Sequence, residues 1–164
     1  MAIQMDMLTA IELAMEAEEA ARRIYEEGQT KAATSHGRRL FGQLAEFEDS
    51  HYRHLKVLLD SLRGSGRYTV YEGTSLAGPA APEREQNDEP NTDQLLDILN
   101  LAIQAEDEAA RRYSELAGKT ADVSGRMMFE KLSDEERLHA RILNDEFYNL
   151  SNKGAWSSKS LWSE

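Results

Sequence analysis

Cysteine is absent from this chain of 164 residues, which excludes disulfide bonds, thiolate zinc sites and thiolate-bound iron. Proline is scarce, with three residues, so long stretches contain nothing that interrupts a helix. No apolar run approaches the roughly 20 residues that cross a bilayer, and the first residues lack the basic and apolar regions of a signal peptide. The sequence therefore predicts a cytoplasmic protein with no membrane partner.

Positive charge is also in short supply. The chain has 19 Lys and Arg residues against 30 Asp and Glu residues, a formal net charge of −11. Because binding to a nucleic-acid backbone depends on Lys and Arg that displace counterions, we expect no nucleic-acid partner. Apolar residues make up 40% of the chain and charged residues 30%, a balance typical of a soluble helical protein. At this length, one domain is expected.

Apolar residues recur at helical spacing in four segments, which predict helices over residues 6–27, 37–62, 92–116 and 124–150. Short connections within each pair predict two antiparallel helix hairpins. The connector between the pairs, residues 63–91, is long and has no sustained period. The sequence thus predicts an all-α four-helix bundle over residues 1–150 with a long crossover. In the tail, residues 151–164, Trp156 and Trp162 are expected to cover an apolar patch or a subunit contact.

The two predicted hairpins repeat one another. Adding 88 to a residue number in the first half often reaches the same residue type in the second, without a gap. The matching pairs include Glu18/Glu106, Tyr25/Tyr113, Gly37/Gly125, Phe41/Phe129, Glu48/Glu136 and His51/His139. Similar hairpins bury their apolar faces by packing about a pseudo-two-fold axis, so residues in the middle of equivalent helices are expected to meet.

Glutamates lie in the middle of the apolar stripe of each helix, namely Glu18, Glu48, Glu106 and Glu136. An isolated ionised carboxylate is very costly in a protein interior, and carboxylates near one another also repel. Two divalent cations would neutralise the four charges. His51 and His139 each lie one turn from a glutamate on the same helix face, as Glu-x-x-His motifs, and would complete the ligand set. Such ligands suit iron or manganese and also admit zinc.

Other polar residues near these motifs are not counted as ligands. His36 precedes the second helix and is expected to lie at the surface or to cap that helix. His54, whose counterpart in the second half is Ile142, is expected to pack against neighbours or to be partly exposed. The acidic run Asp134-Glu135 is expected to form part of a solvated helix face.

This pattern resembles the ferritin-like di-iron superfamily, and within it most closely the rubrerythrin family. The resemblance covers all four helices and comprises Glu18 with Tyr25 seven residues on, a Glu-x-x-His motif, a long connector, Glu106 with Tyr113 seven residues on, and a second Glu-x-x-His motif. It implies a ferritin-like bundle with internal pseudo-two-fold symmetry and a centre of two iron ions. It also implies that Tyr25 and Tyr113 donate hydrogen bonds to ligand carboxylates.

The resemblance further implies how the ligands are shared. The two bridging ligands would be Glu48 and Glu136. Glu18 and His51 would complete the coordination of one ion, and Glu106 and His139 would complete that of the other. The chain departs from the family in two ways: it has no Cys for a rubredoxin module, and Ala109 stands where many rubrerythrins have an additional Glu.

The leading functional hypothesis is an oxidoreductase that reduces hydrogen peroxide or dioxygen with electrons from an external donor protein. The alternative is a ferroxidase or iron-handling protein, which would be expected to form a cage, whereas the Trp-bearing tail favours a homodimer. A third hypothesis, a metal-free interaction protein, requires the six inward polar groups to pair among themselves. Two histidines cannot neutralise four carboxylates, so this hypothesis is ranked last.

Overall fold

The computed structural model of the protein describes residues 2–74 and 89–157. Most of these residues form four α-helices, namely α1 (Ala2–Lys31), α2 (Ser35–Gly64), α3 (Thr92–Lys119) and α4 (Val123–Lys153). The prediction of an all-α four-helix bundle is confirmed. Among the described residues, no helix has an apolar stretch suited to a membrane span. Part of the predicted crossover, residues 75–88, and Trp162 lie outside the described residues.

Every helix is longer than predicted, and the first one shows why. The helix predicted over residues 6–27 continues through Gly28 to Lys31, so the connection to α2 is only residues 32–34. A Cβ atom on Gly28 would lie 2.7 Å from ring carbons of Phe41. The glycine therefore allows the close approach of α1 and α2 and does not end the helix. Thr34 caps α2 by accepting a 3.0 Å hydrogen bond from the Gly37 amide.

The helices pack as two hairpins, α1 with α2 and α3 with α4, and α1 also packs against α3. Tyr25, late in α1, donates to Glu106 in the middle of α3, and Tyr113, late in α3, donates to Glu18 in the middle of α1. These reciprocal bonds show that α1 and α3 are antiparallel, so α2 and α3 point in the same direction. The end of α2 and the start of α3 therefore lie at opposite ends of the bundle, separated by about 42 Å, the length of a helix of 28 residues.

The repeat continues past the helix ends. Helices α2 and α4 are each followed by a glycine with left-handed backbone, Gly66 (φ 73°) and Gly154 (φ 65°), which are 88 positions apart. Two residues further on, an aromatic side chain closes against a glycine at the start of a helix: Tyr68 on Gly125 and Trp156 on Gly37. Trp156 is also buried against Phe41, in agreement with the prediction that it covers an apolar patch.

The apolar core is divided into two clusters along the bundle. One contains Ile11, Leu55, Tyr113 and Phe129, and the other contains Tyr25, Phe41, Leu99 and Leu143. Along each helix, the inward glutamate falls between the residues of one cluster and those of the other. The fold therefore seals a polar layer between two apolar layers, and this layer is the candidate site.

Candidate metal centre

The structure brings all six predicted ligands together in the polar layer. Each side chain is 3% exposed or less. They form two overlapping groups in which the ligand atoms lie within 4.8 Å of one another: Glu18, Glu48, His51 and Glu136 in one, and Glu48, Glu106, Glu136 and His139 in the other. Glu48 and Glu136 belong to both groups, which is the arrangement required of bridging ligands. Their binding of metal stays a prediction.

Both histidines point the same nitrogen into the cluster. Nδ1 of His51 lies 2.7 Å from Glu136 Oε1 and 3.5 Å from an oxygen of Glu18 and of Glu48. Nδ1 of His139 lies 3.5 Å from Glu48 Oε1 and 3.6 Å from Glu106 Oε2. The imidazoles thus face the carboxylates across the pseudo-two-fold axis, as two symmetry-related ligand sets would.

Several buried atoms of this cluster have no hydrogen-bond partner among the described residues. They include both carboxylate oxygens of Glu48, Oε2 of Glu18 and Oε2 of Glu106. Buried polar atoms in native proteins nearly always have a partner, and unpartnered carboxylate oxygens are the most costly kind. Oxygen atoms that converge in this way are the donors that hard divalent cations take, so the residues fit a two-metal centre.

Two tyrosines hold the outer carboxylates from the opposite hairpin. The Tyr113 hydroxyl donates a 2.5 Å hydrogen bond to Glu18 Oε1, and the Tyr25 hydroxyl donates to Glu106 Oε1. Both rings are fully buried. Burial and the adjacent carboxylate raise the pKa of each hydroxyl well above its ordinary value, so both tyrosines stay protonated and act as donors.

Burial and mutual repulsion shift the pKa values of the clustered carboxylates. Burial, together with the carboxylates of Glu106 and Glu136, raises the pKa of Glu48 well above its ordinary value. Burial and Glu106 do the same to the pKa of Glu136. Burial by itself would also raise the pKa of Glu18, but His51 and nearby hydrogen bonds bring it below its ordinary value. The metal-free site therefore retains protons on the carboxylates of its two shared residues, where cations would otherwise lie.

Sequence reasoning missed Glu135, and the expectation that its side chain is solvated is wrong. The side chain is 14% exposed, and its Oε2 lies 3.5 Å from Nε2 of His51. It accepts hydrogen bonds from the Tyr71 hydroxyl and the Thr74 amide of the crossover. One signal was present in the sequence: 88 positions earlier the chain has Phe47, so the repeat breaks next to a ligand.

The expectation that His36 is a surface or capping residue is also wrong. His36 is buried, and its Nε2 lies 3.3 Å from Glu146 Oε2. The other oxygen of Glu146 accepts a 2.8 Å hydrogen bond from the Ser157 amide. Close by, Glu89 accepts hydrogen bonds from Thr34 and from the Trp156 indole. This polar cluster fastens the end of the crossover and the tail to the start of α2, away from the candidate metal centre.

A small cavity leads to the centre between α1 and α3. Its volume is about 130 Å³. Half of the ten residues that line it are alanines, at Ala17, Ala20, Ala21, Ala105 and Ala109, and Glu18 and Glu136 also line it. The position at which many rubrerythrins have an additional Glu is therefore part of a cavity wall in this protein. The cavity offers a route by which a small molecule reaches the carboxylates.

Comparisons with known proteins agree with this geometry. The sequence model of the rubrerythrin family matches residues 97–157, which contain Glu106, Glu136 and His139. A solved structure of a hypothetical protein from Pyrococcus furiosus is similar to the chain, with a TM-score of 0.67 and 27% identity over 87% of this chain and 89% of that one. No curated protein matches the chain. The family match thus covers the second hairpin and three of the predicted ligands, and the glutamate and histidine cluster is compatible with a di-iron site.

Proposed function

We propose that this protein is an oxidoreductase that reduces hydrogen peroxide or dioxygen with electrons from an external donor protein. When bound, a pair of iron ions would supply the redox chemistry. The observation that carries this proposal is the convergence of unpartnered carboxylate oxygens and two imidazoles in a buried layer of the core. The same donors admit manganese, whereas zinc would bind there without redox activity.

The ligand set supports two ions with four positive charges in total. Glu48 and Glu136 would be shared, because they belong to both groups of ligand atoms. The remaining ligands would be divided as Glu18 with His51 and Glu106 with His139. Four carboxylates and two neutral imidazoles would then leave the buried layer without net charge, which removes most of the cost of burying the carboxylates.

The tyrosines determine which oxygens are available for binding. Each hydroxyl takes one oxygen of an outer carboxylate, and the second oxygen, Oε2 of Glu18 and of Glu106, has no hydrogen-bond partner among the described residues. A carboxylate held in this way presents one oxygen in a fixed direction. Tyr25 and Tyr113 thereby preorganise the outer ligands, which lowers the conformational cost of binding.

The cavity between α1 and α3 favours a small oxidant. A volume of about 130 Å³ accommodates a few molecules the size of water. Hydrogen peroxide and dioxygen are of this size, and bulky organic hydroperoxides are not. These 164 residues contain no Cys for an iron–sulfur or rubredoxin-type site, so the electrons are assigned to a donor outside them.

Stopped-flow absorption of the anaerobic, iron-loaded protein mixed with hydrogen peroxide tests the proposal. We expect the ferrous centre to be oxidised within seconds, with new absorption from the ferric pair. Glu18→Gln should slow this oxidation, and Glu16→Gln, a matched change at an exposed position of the same helix, should not. Iron-loaded protein that stays ferrous in the presence of both oxidants would refute the proposal.

The iron-handling alternative makes a different set of predictions. A ferroxidase would consume many ferrous ions per protomer in the presence of dioxygen, and an iron-storage protein would form a large shell. Light scattering is expected to give a particle of the size of a homodimer, and ferrous consumption should stop near two ions per protomer. A shell-sized particle with continued ferrous consumption would replace the oxidoreductase proposal by the alternative.

A further inference from the structure

One arginine lies among the small residues of the cavity between α1 and α3. Arg112 lines this cavity of about 130 Å³ together with five alanines and the carboxylates of Glu18 and Glu136. The Nη1 atom of Arg112 is buried and has no hydrogen-bond partner among the described residues. A residue in the cavity wall therefore carries a buried guanidinium donor that lacks an acceptor.

The internal repeat does not call for a charge at this position. The residue 88 positions before Arg112 is Ile24, which lines the same cavity from α1. Other positions in the wall keep their residue type across the repeat, as Ala17 and Ala105 do. An apolar side chain thus serves at the equivalent place of the first hairpin, so packing of the bundle alone gives no reason for an arginine.

A buried donor without an acceptor is unfavourable, and the cost is larger for a charged group. Arginine keeps its proton in proteins, so Arg112 does not reduce this cost by becoming neutral. An acceptor that enters the cavity would satisfy the guanidinium through a charge-assisted hydrogen bond, which is roughly twice as strong as a neutral one. The unsatisfied donor therefore favours occupation of the cavity by a molecule with accessible lone pairs.

The size and the lining of the cavity restrict what this molecule is. A volume of about 130 Å³ accommodates a few atoms, as in hydrogen peroxide or a small anion. Dioxygen is equally small but is a very weak hydrogen-bond acceptor, so it gains little from a guanidinium. The carboxylates of Glu18 and Glu136 would repel an anion in the metal-free protein, whereas bound cations would neutralise them.

We propose that Arg112 is a positioning residue of this cavity: it donates a hydrogen bond to hydrogen peroxide or to a small anion and holds it beside the centre, and it gives no such advantage to dioxygen. This inference rests on the proposed oxidoreductase function. It assigns the selection of the small molecule to a residue outside the predicted ligand set.

Azide, a small anion, is the probe for a test that does not depend on turnover. Oxidised, iron-loaded protein is titrated with azide, and binding is followed by visible absorption. Arg112→Gln should weaken azide binding by about 10- to 100-fold. Arg112→Lys retains the charge and should weaken it less. Arg111→Gln, the same substitution at the adjacent exposed position of α3, should leave the azide affinity unchanged.

Stopped-flow oxidation of the ferrous protein gives the second measurement. Arg112→Gln should slow oxidation by hydrogen peroxide by a factor similar to its loss of azide affinity. It should change oxidation by dioxygen little, because dioxygen does not use the hydrogen bond. Arg111→Gln should react with both oxidants as the wild-type protein does.

The outcomes separate this inference from the proposed function. Circular dichroism first establishes that each variant is folded, and Arg112→Ile, which places the residue type of Ile24 at this position, carries the test if Arg112→Gln is not folded. Equal azide affinity in wild-type protein and Arg112→Gln, or equal slowing of the two oxidants, would overturn the inference and leave the proposed function standing. Wild-type protein that stays ferrous with both oxidants would overturn the proposed function and the inference with it.

Discussion

The hairpin of α1 and α2 and the hairpin of α3 and α4 supply the same predicted ligands but not the same surroundings. Glu48 with His51 and Glu136 with His139 are equivalent by position, and each is buried to the same degree. Behind the histidines, the first hairpin receives the carboxylate of Glu135 from α4, whereas the second receives the ring of Phe47 from α2. An internal repeat can therefore preserve a ligand set and still differentiate the two sites through residues that are not ligands.

The largest effect is expected when a predicted ligand that belongs to both groups of ligand atoms is removed. Glu48→Ala should abolish binding of both ions, because Glu48 belongs to both groups of ligand atoms. Metal analysis after dialysis checks this, with Glu46→Ala as a control at an exposed position of α2. Glu18→Ala should instead cost one ion. Retention of one full equivalent by Glu48→Ala would show that the two positions are independent.

The next largest effect is expected where an aromatic side chain packs on a glycine at the start of a helix. A Cβ on Gly125 would lie 2.4 Å from the Tyr68 ring, so Gly125→Ala should destabilise the protein by about 1–3 kcal/mol through overpacking. Gly118→Ala, at a helical position with nothing within 4 Å, should instead be neutral or stabilise by up to about 1 kcal/mol. Chemical denaturation measures both. Equal effects of the two substitutions would contradict the close packing of Tyr68.

A smaller effect is expected when the tyrosine hydrogen bonds, which are equivalent in the two hairpins, are removed. Tyr25→Phe and Tyr113→Phe each remove one hydrogen bond to an outer carboxylate, and each should cost about 1 kcal/mol of stability in the metal-free protein. Denaturant titration of the two variants side by side checks this. A difference of more than about 1 kcal/mol between the variants would mean that the asymmetry of the centre extends to the tyrosines.

The most gradual effect is the pH dependence of the metal-free protein. The pKa values of Glu48 and Glu136 are raised above their ordinary 4.5 and that of His51 above 6.5, in each case within a buried cluster of carboxylates. The folded protein then holds protons that the unfolded chain releases, so the stability these groups provide is full below the ordinary values and is lost as pH rises. Glu18, with a lowered pKa, contributes in the opposite sense only below about pH 4.5.

Melting curves between about pH 5 and pH 9 measure this dependence. The Tm of the metal-free protein should fall as pH rises, and the Tm of metal-loaded protein should fall less, because cations take the place of the protons. The Glu48→Gln variant should flatten the metal-free curve. A Tm of metal-free protein that rises over this window would contradict the assigned pKa directions.

Much of the centre could be predicted because its signals are local. Glu18 and Glu106 stand out as charges within apolar stripes, and a Glu-x-x-His spacing places two ligands on one helix face whatever the partner helix is. The offset of 88 then pairs the two halves. Helix ends were predicted less well. Glycine often ends a helix, but α1 continues through Gly28, where the absence of a side chain lets Phe41 pack closely.

The amino-acid sequence by itself determined four amphipathic helices, their repeat and the inward direction of the ligands, because helical periodicity fixes which side chains share a face. Only the tertiary structure decided that Tyr71 reaches Glu135, 64 positions along the chain, and that His36 meets Glu146, 110 positions away. Contacts of this kind depend on the path of the crossover and the placement of the tail, neither of which has a periodic signal. The same physical reason explains why the ligands and the two tyrosines could be predicted from the sequence, whereas the contacts of Glu135 and His36 could not.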